Sequence, residues 1–234
     1  MDGENYIGII IPAYNPVPET LAELLDRIIR VCSGMPHQIL IVDDGSHSPI
    51  SLPDKIVSHT SLIRHQENLG KGEALKSGFR YFREKTVVNP IFTLDADLQH
   101  PPEYIPHFLE QHRRGFSLVI GARNRKPGVM PLHRILSNTI TSRMLSMLAG
   151  TRILDSQCGY RLIDKRLLGK IHLQETRFHL ESEMVVRAAW AGGRIGFVPI
   201  PTIYGGEKSA IKNLPDTLNF ISLYIKLLKE RLFK

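Results

Sequence analysis

Hydrophobic residues along this chain follow two alternating patterns, and together they predict an α/β protein. Short apolar runs are typical of buried strands, whereas apolar residues three or four positions apart are typical of amphipathic helices. The predicted strands lie at 6–12, 39–42, 61–64, 91–94, 118–121 and 195–199. The predicted helices lie at 21–29, 73–83, 103–113, 132–148, 181–191 and 213–233. Because strands that alternate with helices form right-handed βαβ units, the sheet should be mostly parallel and flanked by helices.

Two of these helices are clearly amphipathic. In the helix at 132–148 the apolar residues near one face are Leu132, Ile135, Leu136, Ile140, Met144 and Leu148. In the last helix they are Leu214, Leu218, Ile221, Ile225, Leu228 and Leu232. We therefore predict a domain at 1–212 followed by an amphipathic helix at 213–234, which packs on the domain, on a membrane surface or on a partner.

Polar side chains follow several of the predicted strands. Asn15 follows the first strand, Asp43 and Asp44 follow the second, and Asp95 and Asp97 follow the fourth. Since the functional loops of a parallel sheet lie at the carboxyl ends of its strands, these five side chains should converge on one edge.

The segment 91–102 is the most informative of these loops, because Asp95, Asp97 and Gln99 come directly after an apolar strand. Alternation along an extended chain would place the three side chains on one side. Oxygen ligands of this kind suit Mg²⁺ or Mn²⁺, which keeps coordination positions for substrate phosphates. The alternative is a solvated acidic turn, and the position after a buried strand favours the metal site.

Composition indicates the size of the domain, the charge of its partners and its cellular compartment. Its 234 residues fit one domain with a sizeable core, and its net charge of +7 suits anionic partners such as nucleotide sugars, lipid phosphates, anionic membranes or nucleic acid. Two cysteines without a Cys-x-x-Cys pair indicate a reducing compartment. Neither a signal peptide nor a membrane-spanning apolar run is visible. We expect a cytoplasmic protein, or one at the cytoplasmic face of a membrane.

Short motifs are spread over nearly the whole chain. They are Ile10-Ile-Pro-Ala-Tyr-Asn15, Val42-Asp-Asp-Gly-Ser46, Asn68-Leu-Gly-Lys-Gly72, Leu94-Asp-Ala-Asp-Leu-Gln-His-Pro-Pro102, Gly121-Ala-Arg123, Asp155-Ser-Gln-Cys-Gly-Tyr-Arg161, Glu183-Met-Val-Val-Arg-Ala188 and Tyr204-Gly-Gly-Glu-Lys-Ser209. Each is weak alone, but the ordered set resembles family-two inverting glycosyltransferases of the GT-A fold. It is most similar to polyprenyl-phosphate glycosyltransferases of the dolichol-phosphate mannose synthase type. The resemblance implies a Rossmann-like sheet and a metal-dependent transfer of sugar from a nucleotide sugar.

The resemblance also implies a nucleotide site. Its residues would be Pro12, Tyr14, Asn15, Asp43, Asp44, Lys71, Asp95, Ala96 and Lys208, with Asp95, Asp97 and Gln99 as the metal set. Asp43 would accept hydrogen bonds from the base, Asp44 would lie near the ribose, and Lys71 begins a helix whose N-terminus suits a phosphate. The alternatives are an Asx-type turn at Asp43 and a solvated Lys71. Asn15 stands where many relatives carry Glu, so a GDP-linked and a UDP-linked donor both stay open.

The preferred acceptor in the resembled family is polyprenyl phosphate. The catalytic residues would be Asp97, Asp155, Arg123 and Arg134, the acceptor phosphate would meet Arg123, Arg134 and Ser137, and Gln157 and Glu183 would line the sugar. Arginine suits bidentate phosphate binding, and an ionised phosphate needs no general base. Asp155 would be the base for a hydroxyl acceptor. Arg125 is expected to be solvated, His100 to be a surface histidine or a further metal ligand, and Lys208 to lie in a lid.

Other functions stay open at this point. A glycan or protein hydroxyl is the alternative acceptor. A sugar-1-phosphate nucleotidyltransferase would carry a Gly-rich loop with Arg and Lys after the first strand, which 12–18 lacks. A nucleic-acid-binding domain would place basic and aromatic residues on one surface, whereas the prominent loops here are acidic, so we expect no nucleic-acid partner. The chain is compatible with a monomer or a homodimer.

Overall fold

The structure is a computed structural model that describes residues 6–52, 60–85, 87–125, 130–203 and 213–233. Across these residues the strands are β1 (Tyr6–Ala13), β2 (His37–Asp43), β3 (Thr60–Arg64), β4 (Val88–Thr93), β5 (Leu118–Arg123), β6 (Arg161–Ile163) and β7 (Ile195–Ile200). They form one sheet in the order β3-β2-β1-β4-β6-β5-β7. β6 is antiparallel to both β4 and β5, and the other pairs are parallel. The mostly parallel sheet of the GT-A prediction is confirmed.

Helices cover the sheet. They are α1 (Pro18–Val31), α2 (Lys71–Glu84), α3 (Ile105–Arg113), α4 (Leu132–Ala149), α5 (Lys165–Leu168), α6 (His179–Trp190) and α7 (Asn213–Leu232), with a 3₁₀ turn at Pro102–Tyr104 before α3. The core lies between the central strands and these helices. The β-branched run Ile9, Ile10 and Ile11 in β1 is fully buried, as expected for a central parallel strand with helices on both faces.

The short strand β6 is absent from the strands that the sequence predicts, and it positions one of the predicted site loops. It brings the loop 155–160 against the carboxyl end of β4, where Thr93 Oγ1 donates a hydrogen bond to the Gly159 carbonyl at 2.7 Å. The Gly121 amide, in β5, donates to the Tyr160 carbonyl at 2.9 Å. The loop 155–160 is therefore fixed between two strand ends of the functional edge.

The two amphipathic helices occur where the sequence predicts them, but most of the apolar residues that we assigned to one face point outward. In α7 the side chains that pack inward are Phe220, Leu223 and Leu227, and those that stay exposed are Leu218, Ile221, Ile225, Leu228 and Leu232. In α4 the exposed apolar side chains are Leu132, Leu136, Ile140 and Met147. The reason is that α7 carries apolar residues on two sides, and in α4 the inward side includes the polar Asn138, Thr141 and Ser142.

Among the described residues, the helices are too short or too polar to cross a bilayer.

Candidate functional site

The metal motif lies in a turn rather than in an extended segment. β4 ends at Thr93, and the chain turns at Leu98, whose φ of 56° is left-handed. Asp97 Oδ1 accepts a hydrogen bond from the Gln99 amide at 3.0 Å, which closes the turn. The prediction that strand alternation aligns Asp95, Asp97 and Gln99 is therefore wrong, because the segment is not a strand where these residues occur.

Asp95 is held by a buried ion pair at the end of β4. Its Oδ1 lies 2.5 Å from Lys71 Nζ, and the same ammonium lies 2.8 Å from Glu181 Oε1. Burial favours the neutral form of Asp95, but the charge of Lys71 outweighs it and lowers the pKa of the carboxyl. Burial likewise opposes the charge of Lys71, but Asp95 and Glu181 raise its pKa above the ordinary value. Lys71 and Asp95 therefore stay charged, and Glu181 is a partner that the sequence analysis did not predict.

Lys71 does not present an open phosphate site with its helix. The Glu73 amide, in the first turn of α2, donates to the Thr176 carbonyl at 3.0 Å. A Cβ on Gly72 would lie 2.5 Å from the Thr176 carbonyl carbon, so the segment before α6 packs directly on this helix end. The solvated alternative for Lys71 is wrong, because its side chain is largely buried. The phosphate contact of this helix end stays a prediction.

His100 is also buried, contrary to the expectation of a surface histidine. Its ring stacks on Tyr160 with centroids 6.0 Å apart, and its Nε2 lies 3.7 Å from Asp95 Oδ2. Burial lowers the pKa of His100 to about 4. Gly159 packs against the same carboxylate, since a Cβ there would lie 2.5 Å from Asp95 Oδ2. These contacts fix the position of the Asp95 carboxylate.

The loops after β1 and β2 are tied together. The Asn15 amide donates to Ser46 Oγ at 2.8 Å, and Asn15 Oδ1 accepts from the His47 amide at 2.9 Å. Asn15 has a φ of 48°, a left-handed conformation that asparagine tolerates better than most residues. Tyr14 is exposed, and its ring meets His47 edge-on at 6.0 Å. The two rings offer an aromatic surface for a base, and sequence reasoning missed His47.

The two aspartates after β2 point into the protein. Asp43 accepts from the Ser46 amide at 2.8 Å and from Arg64 Nη1 at 3.0 Å. Asp44 accepts from the Leu69 and Gly70 amides and lies 2.7 Å from His65 Nδ1. Both carboxylates are buried, so the local turn that we held as the alternative for Asp43 is present. The oxygens of Asp44 hold the 65–70 segment, and its place near the ribose stays a prediction.

The predicted acceptor side contains a fixed arginine–aspartate pair. Arg123 donates to Asp155 in bidentate geometry, with Nε 2.7 Å and Nη2 2.9 Å from the carboxylate oxygens. Burial would raise the pKa of Asp155, but the Arg123 guanidinium outweighs it and holds the pKa below its ordinary value. A buried carboxylate in this state is a poor proton acceptor, so the predicted role of Asp155 as a general base is not supported.

Arg125 belongs to the same cluster rather than to a solvated loop. Its Nη2 lies 3.8 Å from Asp155 Oδ1, and its guanidinium donates to Ser142 Oγ of α4 and to the Leu154 carbonyl. The expectation that Arg125 is solvated is wrong, because its side chain lies between α4 and the 154–155 segment. This arrangement links α4 directly to the arginine–aspartate pair.

Several predicted residues lie around this cluster. Arg134 and Ser137 are in the first turns of α4, where Ser137 is exposed. The Gln157 amide donates to Asp155 Oδ1 at 3.1 Å, which places Gln157 beside the pair.

Pro12 is buried in β1, and Ala96 is half-buried in the metal-motif turn. Lys208 and the predicted lid lie outside the described residues.

Glu183 does not line a sugar site. It is fully buried, its Oε2 accepts from the Gln174 and Glu175 amides at 2.8 and 2.9 Å, and its Oε1 accepts from Arg187 Nε at 2.6 Å. Arg187 in turn donates to Glu230 of α7 at 3.0 and 3.1 Å. The predicted sugar contact is therefore contradicted, because this carboxylate anchors the segment before α6 and, through Arg187, anchors α7.

Arg161 is a buried residue that holds two segments together, and the sequence did not predict this role. Its guanidinium donates to the carbonyls of Cys158, Ser156 and Glu181 at 2.8, 2.8 and 2.5 Å. Burial lowers the pKa of Arg161. The side chain thereby joins the 155–160 loop to the first turn of α6, which carries Glu181. The signal in the sequence that could have indicated this role is the position of Arg161 at the end of the motif 155–161.

The residues at this edge fit a metal ion that a substrate helps to bind. Within the described part of the chain, no three His, Cys, Asp or Glu side chains are grouped to hold a metal alone. Mg²⁺ and similar ions are commonly bound by one or two carboxylates together with substrate phosphates. Asp97, in the half-buried turn, fits that role, whereas Asp95 is paired with Lys71.

Known proteins have sequences similar to this chain. The relatives include an undecaprenyl-phosphate 4-deoxy-4-formamido-L-arabinose transferase of Pectobacterium atrosepticum, 30% identical over 179 residues that cover 72% of this chain and 51% of the relative. A dolichol-phosphate mannosyltransferase of Pyrococcus furiosus is 29% identical over 210 residues, 85% of this chain and 56% of the relative. The chain spans about half the length of these curated relatives.

Solved structures agree on the fold. The glucosyl-3-phosphoglycerate synthase of Mycobacterium tuberculosis, in complex with Mn²⁺, uridine diphosphate and glucosyl-3-phosphoglycerate, superposes with a TM-score of 0.66 at 19% identity, over 98% of this chain and 80% of that one. Mannosyl-3-phosphoglycerate synthase from Rubrobacter xylanophilus gives 0.70 at 19% identity, over 97% and 74%. Both have the GT-A architecture described above. The profile of glycosyl transferase family 2 matches residues 8–172, and the chain therefore belongs to that family.

Proposed function

We propose that this chain transfers a sugar from a nucleoside-diphosphate sugar to a polyprenyl phosphate, with inversion and with the help of Mg²⁺ or Mn²⁺. Family membership supports sugar transfer over nucleotidyl transfer and over nucleic-acid binding. The names of two relatives mention undecaprenyl phosphate and dolichol phosphate, which supports a lipid-phosphate acceptor. A solved GT-A neighbour contains Mn²⁺ and uridine diphosphate, which supports a donor bound with a metal.

The donor side would be built around the turn after β4. Asp97 would hold the ion, which neutralises negative charge on the departing nucleoside diphosphate. Tyr14 and His47 would contact the base, and the tied loops after β1 and β2 would keep them in place. Lys71 lies 2.5 Å from Asp95, so its positive charge would offset the negative charge of that carboxylate beside the metal motif.

The pKa and the hydrogen bonds of Asp155 favour one class of acceptor over the other. A hydroxyl acceptor needs a general base, whereas a phosphate monoester is already an anion. Asp155 is buried, is bound by Arg123 through two hydrogen bonds, and has a lowered pKa. Asp155 fixes the plane of the Arg123 guanidinium, a group whose fork of N–H donors suits the oxygens of a phosphate. The pair therefore favours recognition of a phosphate over removal of a hydroxyl proton.

A transfer assay tests this function. Purified protein is mixed with Mn²⁺, with one of a panel of UDP-sugars and GDP-sugars, and with undecaprenyl phosphate or dolichyl phosphate in detergent. A glycosylated lipid phosphate should form with one donor and be absent when the corresponding polyprenol replaces the phosphate. Transfer to the polyprenol, or to a glycan hydroxyl in preference to either lipid phosphate, would contradict the proposal. A location at the cytoplasmic face of a membrane stays a prediction.

A further inference from the structure

Arg161 is a buried cation whose hydrogen bonds go to the backbone. It is 1% exposed, and its Nε, Nη1 and Nη2 donate to the carbonyls of Cys158, Glu181 and Ser156 at 2.8, 2.5 and 2.8 Å. A buried charge costs free energy that its hydrogen bonds offset, and an apolar side chain of similar volume is often at least as stabilising. Stability alone therefore does not account for an arginine at this position, and the segments that it joins are the better guide to its role.

One of these carbonyls lies on the acceptor side of the site. Ser156 directly follows Asp155, whose carboxylate accepts two hydrogen bonds from Arg123. The Ser156 amide also donates to Ser142 Oγ of α4 at 3.2 Å. Ser156 is thus held at its amide and, by Arg161, at its carbonyl, and this holds the backbone of Asp155 beside Arg123.

The other two carbonyls lie on the donor side. Glu181 carries one of them, and its Oε1 lies 2.8 Å from Lys71 Nζ, which in turn lies 2.5 Å from Asp95 Oδ1. Cys158 carries the other and precedes Gly159, where a Cβ would lie 2.5 Å from Asp95 Oδ2. The same guanidinium therefore binds both the loop that packs on Asp95 and the helix turn that holds the Lys71 ammonium.

The shape of the guanidinium makes these three contacts depend on one another. The group is planar and its N–H donors point in fixed directions, whereas the three donors of a lysine ammonium rotate at the end of a flexible stem. Arg161 can therefore bind its three carbonyls at once only when the 155–160 loop and the first turn of α6 have this relative position. The same relative position sets how the donor side and the acceptor side face each other.

We propose that Arg161 is a positioning residue that holds the donor and acceptor sides in one arrangement, and that the nucleoside diphosphate and the lipid phosphate both bind that arrangement. The inference rests on the proposed function, which supplies the two ligands. It adds that two ligands with different contacts share one conformational requirement. When only a fraction of the molecules has the binding arrangement, the apparent affinity falls in proportion to that fraction, and a first ligand removes the loss for the second.

Calorimetry on Arg161→Lys, which keeps the buried charge, tests the proposal. Uridine or guanosine diphosphate with Mn²⁺ probes the donor side, and dimethylallyl monophosphate, a water-soluble prenyl phosphate, probes the acceptor side. Both affinities should fall by the same factor, at least about fivefold, and saturation with one ligand should return the affinity for the other to that of wild type under the same condition. Arg161→Met, which replaces the charge with an apolar side chain, should also lower both affinities by one common factor.

Arg231→Lys is the matched control. Arg231 also donates to backbone carbonyls, those of Met147 and Leu148, but it joins α7 to α4 rather than the two sides of the site. The control should bind both ligands like wild type.

A residue that only stabilises the fold would give a different pattern. Arg161→Lys would then melt at a lower temperature but, well below that temperature, would bind both ligands like wild type. That result would overturn the proposal. A loss of affinity confined to one ligand, or unequal losses that the other ligand does not restore, would overturn it as well.

Hydrogen exchange separates this inference from the proposed function. In Arg161→Lys the amides of 155–160 should exchange faster than in wild type, and the nucleotide with Mn²⁺ should slow them again, because Gly159 packs on Asp95. If wild type binds no prenyl phosphate of any length, the proposed acceptor fails, and this exchange pattern still supports the positioning role on the donor side. Equal exchange in variant and wild type would overturn the inference, whether or not sugar is transferred.

Discussion

Replacement of Glu183 by Ala distinguishes a structural anchor from a sugar ligand. The carboxylate is fully buried and accepts three hydrogen bonds, from the Gln174 and Glu175 amides and from Arg187 Nε. Ala would leave two backbone amides and the Arg187 guanidinium without this acceptor. Removal of one partner of a buried ion pair typically costs about 3–5 kcal/mol.

The expected loss is large enough to measure by heating. For a chain of this size, each kcal/mol shifts the melting temperature by about 2–4 °C, so Glu183→Ala should melt about 6–20 °C lower than wild type. Glu183→Gln should lose less, because its one carbonyl oxygen can still accept from the backbone while its amide group faces the Arg187 donor. Glu175→Gln is the matched control, since the partly exposed Glu175–Lys226 pair should contribute at most about 1 kcal/mol.

Differential scanning calorimetry and a transfer assay should be run on the same preparations. We predict that the loss of transfer follows the loss of folded protein, and that Glu183→Ala regains activity when assayed well below its melting temperature. A Glu183→Ala protein that melts within 2 °C of wild type yet transfers no sugar would refute the structural role and restore the sugar contact, since 2 °C corresponds to only about 1 kcal/mol.

Three other changes test the site and the fold. Gly159→Ala places a Cβ 2.5 Å from Asp95 Oδ2 and should weaken calorimetric binding of the nucleoside diphosphate with Mn²⁺ by about tenfold. Arg123→Lys loses the bidentate pair with Asp155 and should lower kcat/KM for the lipid phosphate by about tenfold or more, with donor binding unchanged. Asp164 has a pKa lowered to about 2, mainly by its hydrogen bond from His112, so its stabilisation is present above 3.8 and disappears as the pH falls toward 2. The melting temperatures of wild type and Asp164→Asn should therefore converge over that interval.

Each of these predictions has a clear contrary result. Unchanged donor binding by Gly159→Ala would show that Asp95 tolerates displacement. A change confined to donor binding in Arg123→Lys would move this residue from the acceptor side to the donor side. A melting-temperature difference between wild type and Asp164→Asn that stays constant from pH 5 to pH 2 would show that the hydrogen bond from His112 does not lower the pKa.

The sequence was sufficient for the fold because long apolar runs and helical spacing extend over whole elements. The β1 run and the α3 helix lie within two residues of their predicted bounds. β6 is only three residues long, so its pairing could not be read from periodicity. The inward side of α7 could not be read either, because a helix with two apolar rows has no unique core face.

The positions of some site residues could be predicted from the sequence, but their contact partners could not. Motifs located Asp97 and Arg123 at the ends of strands and Asp155 in a loop, since that depends only on the order of the elements. The partners of those residues depend on contacts between distant segments, such as the Lys71 ammonium with Glu181. Burial cannot be read from residue type either, and Asp44 and Glu183 are carboxylates that are buried and hydrogen-bonded within the protein.

The most direct test concerns Asp97, which our account assigns to the ion that assists departure of the nucleotide. The rate of sugar transfer to lipid phosphate should be measured for wild type and Asp97→Asn across a Mn²⁺ titration, together with melting temperatures. We predict a loss of at least about a hundredfold in rate at every Mn²⁺ concentration, with a melting temperature near that of wild type. Transfer by Asp97→Asn at the wild-type rate and with the same Mn²⁺ dependence would contradict the account.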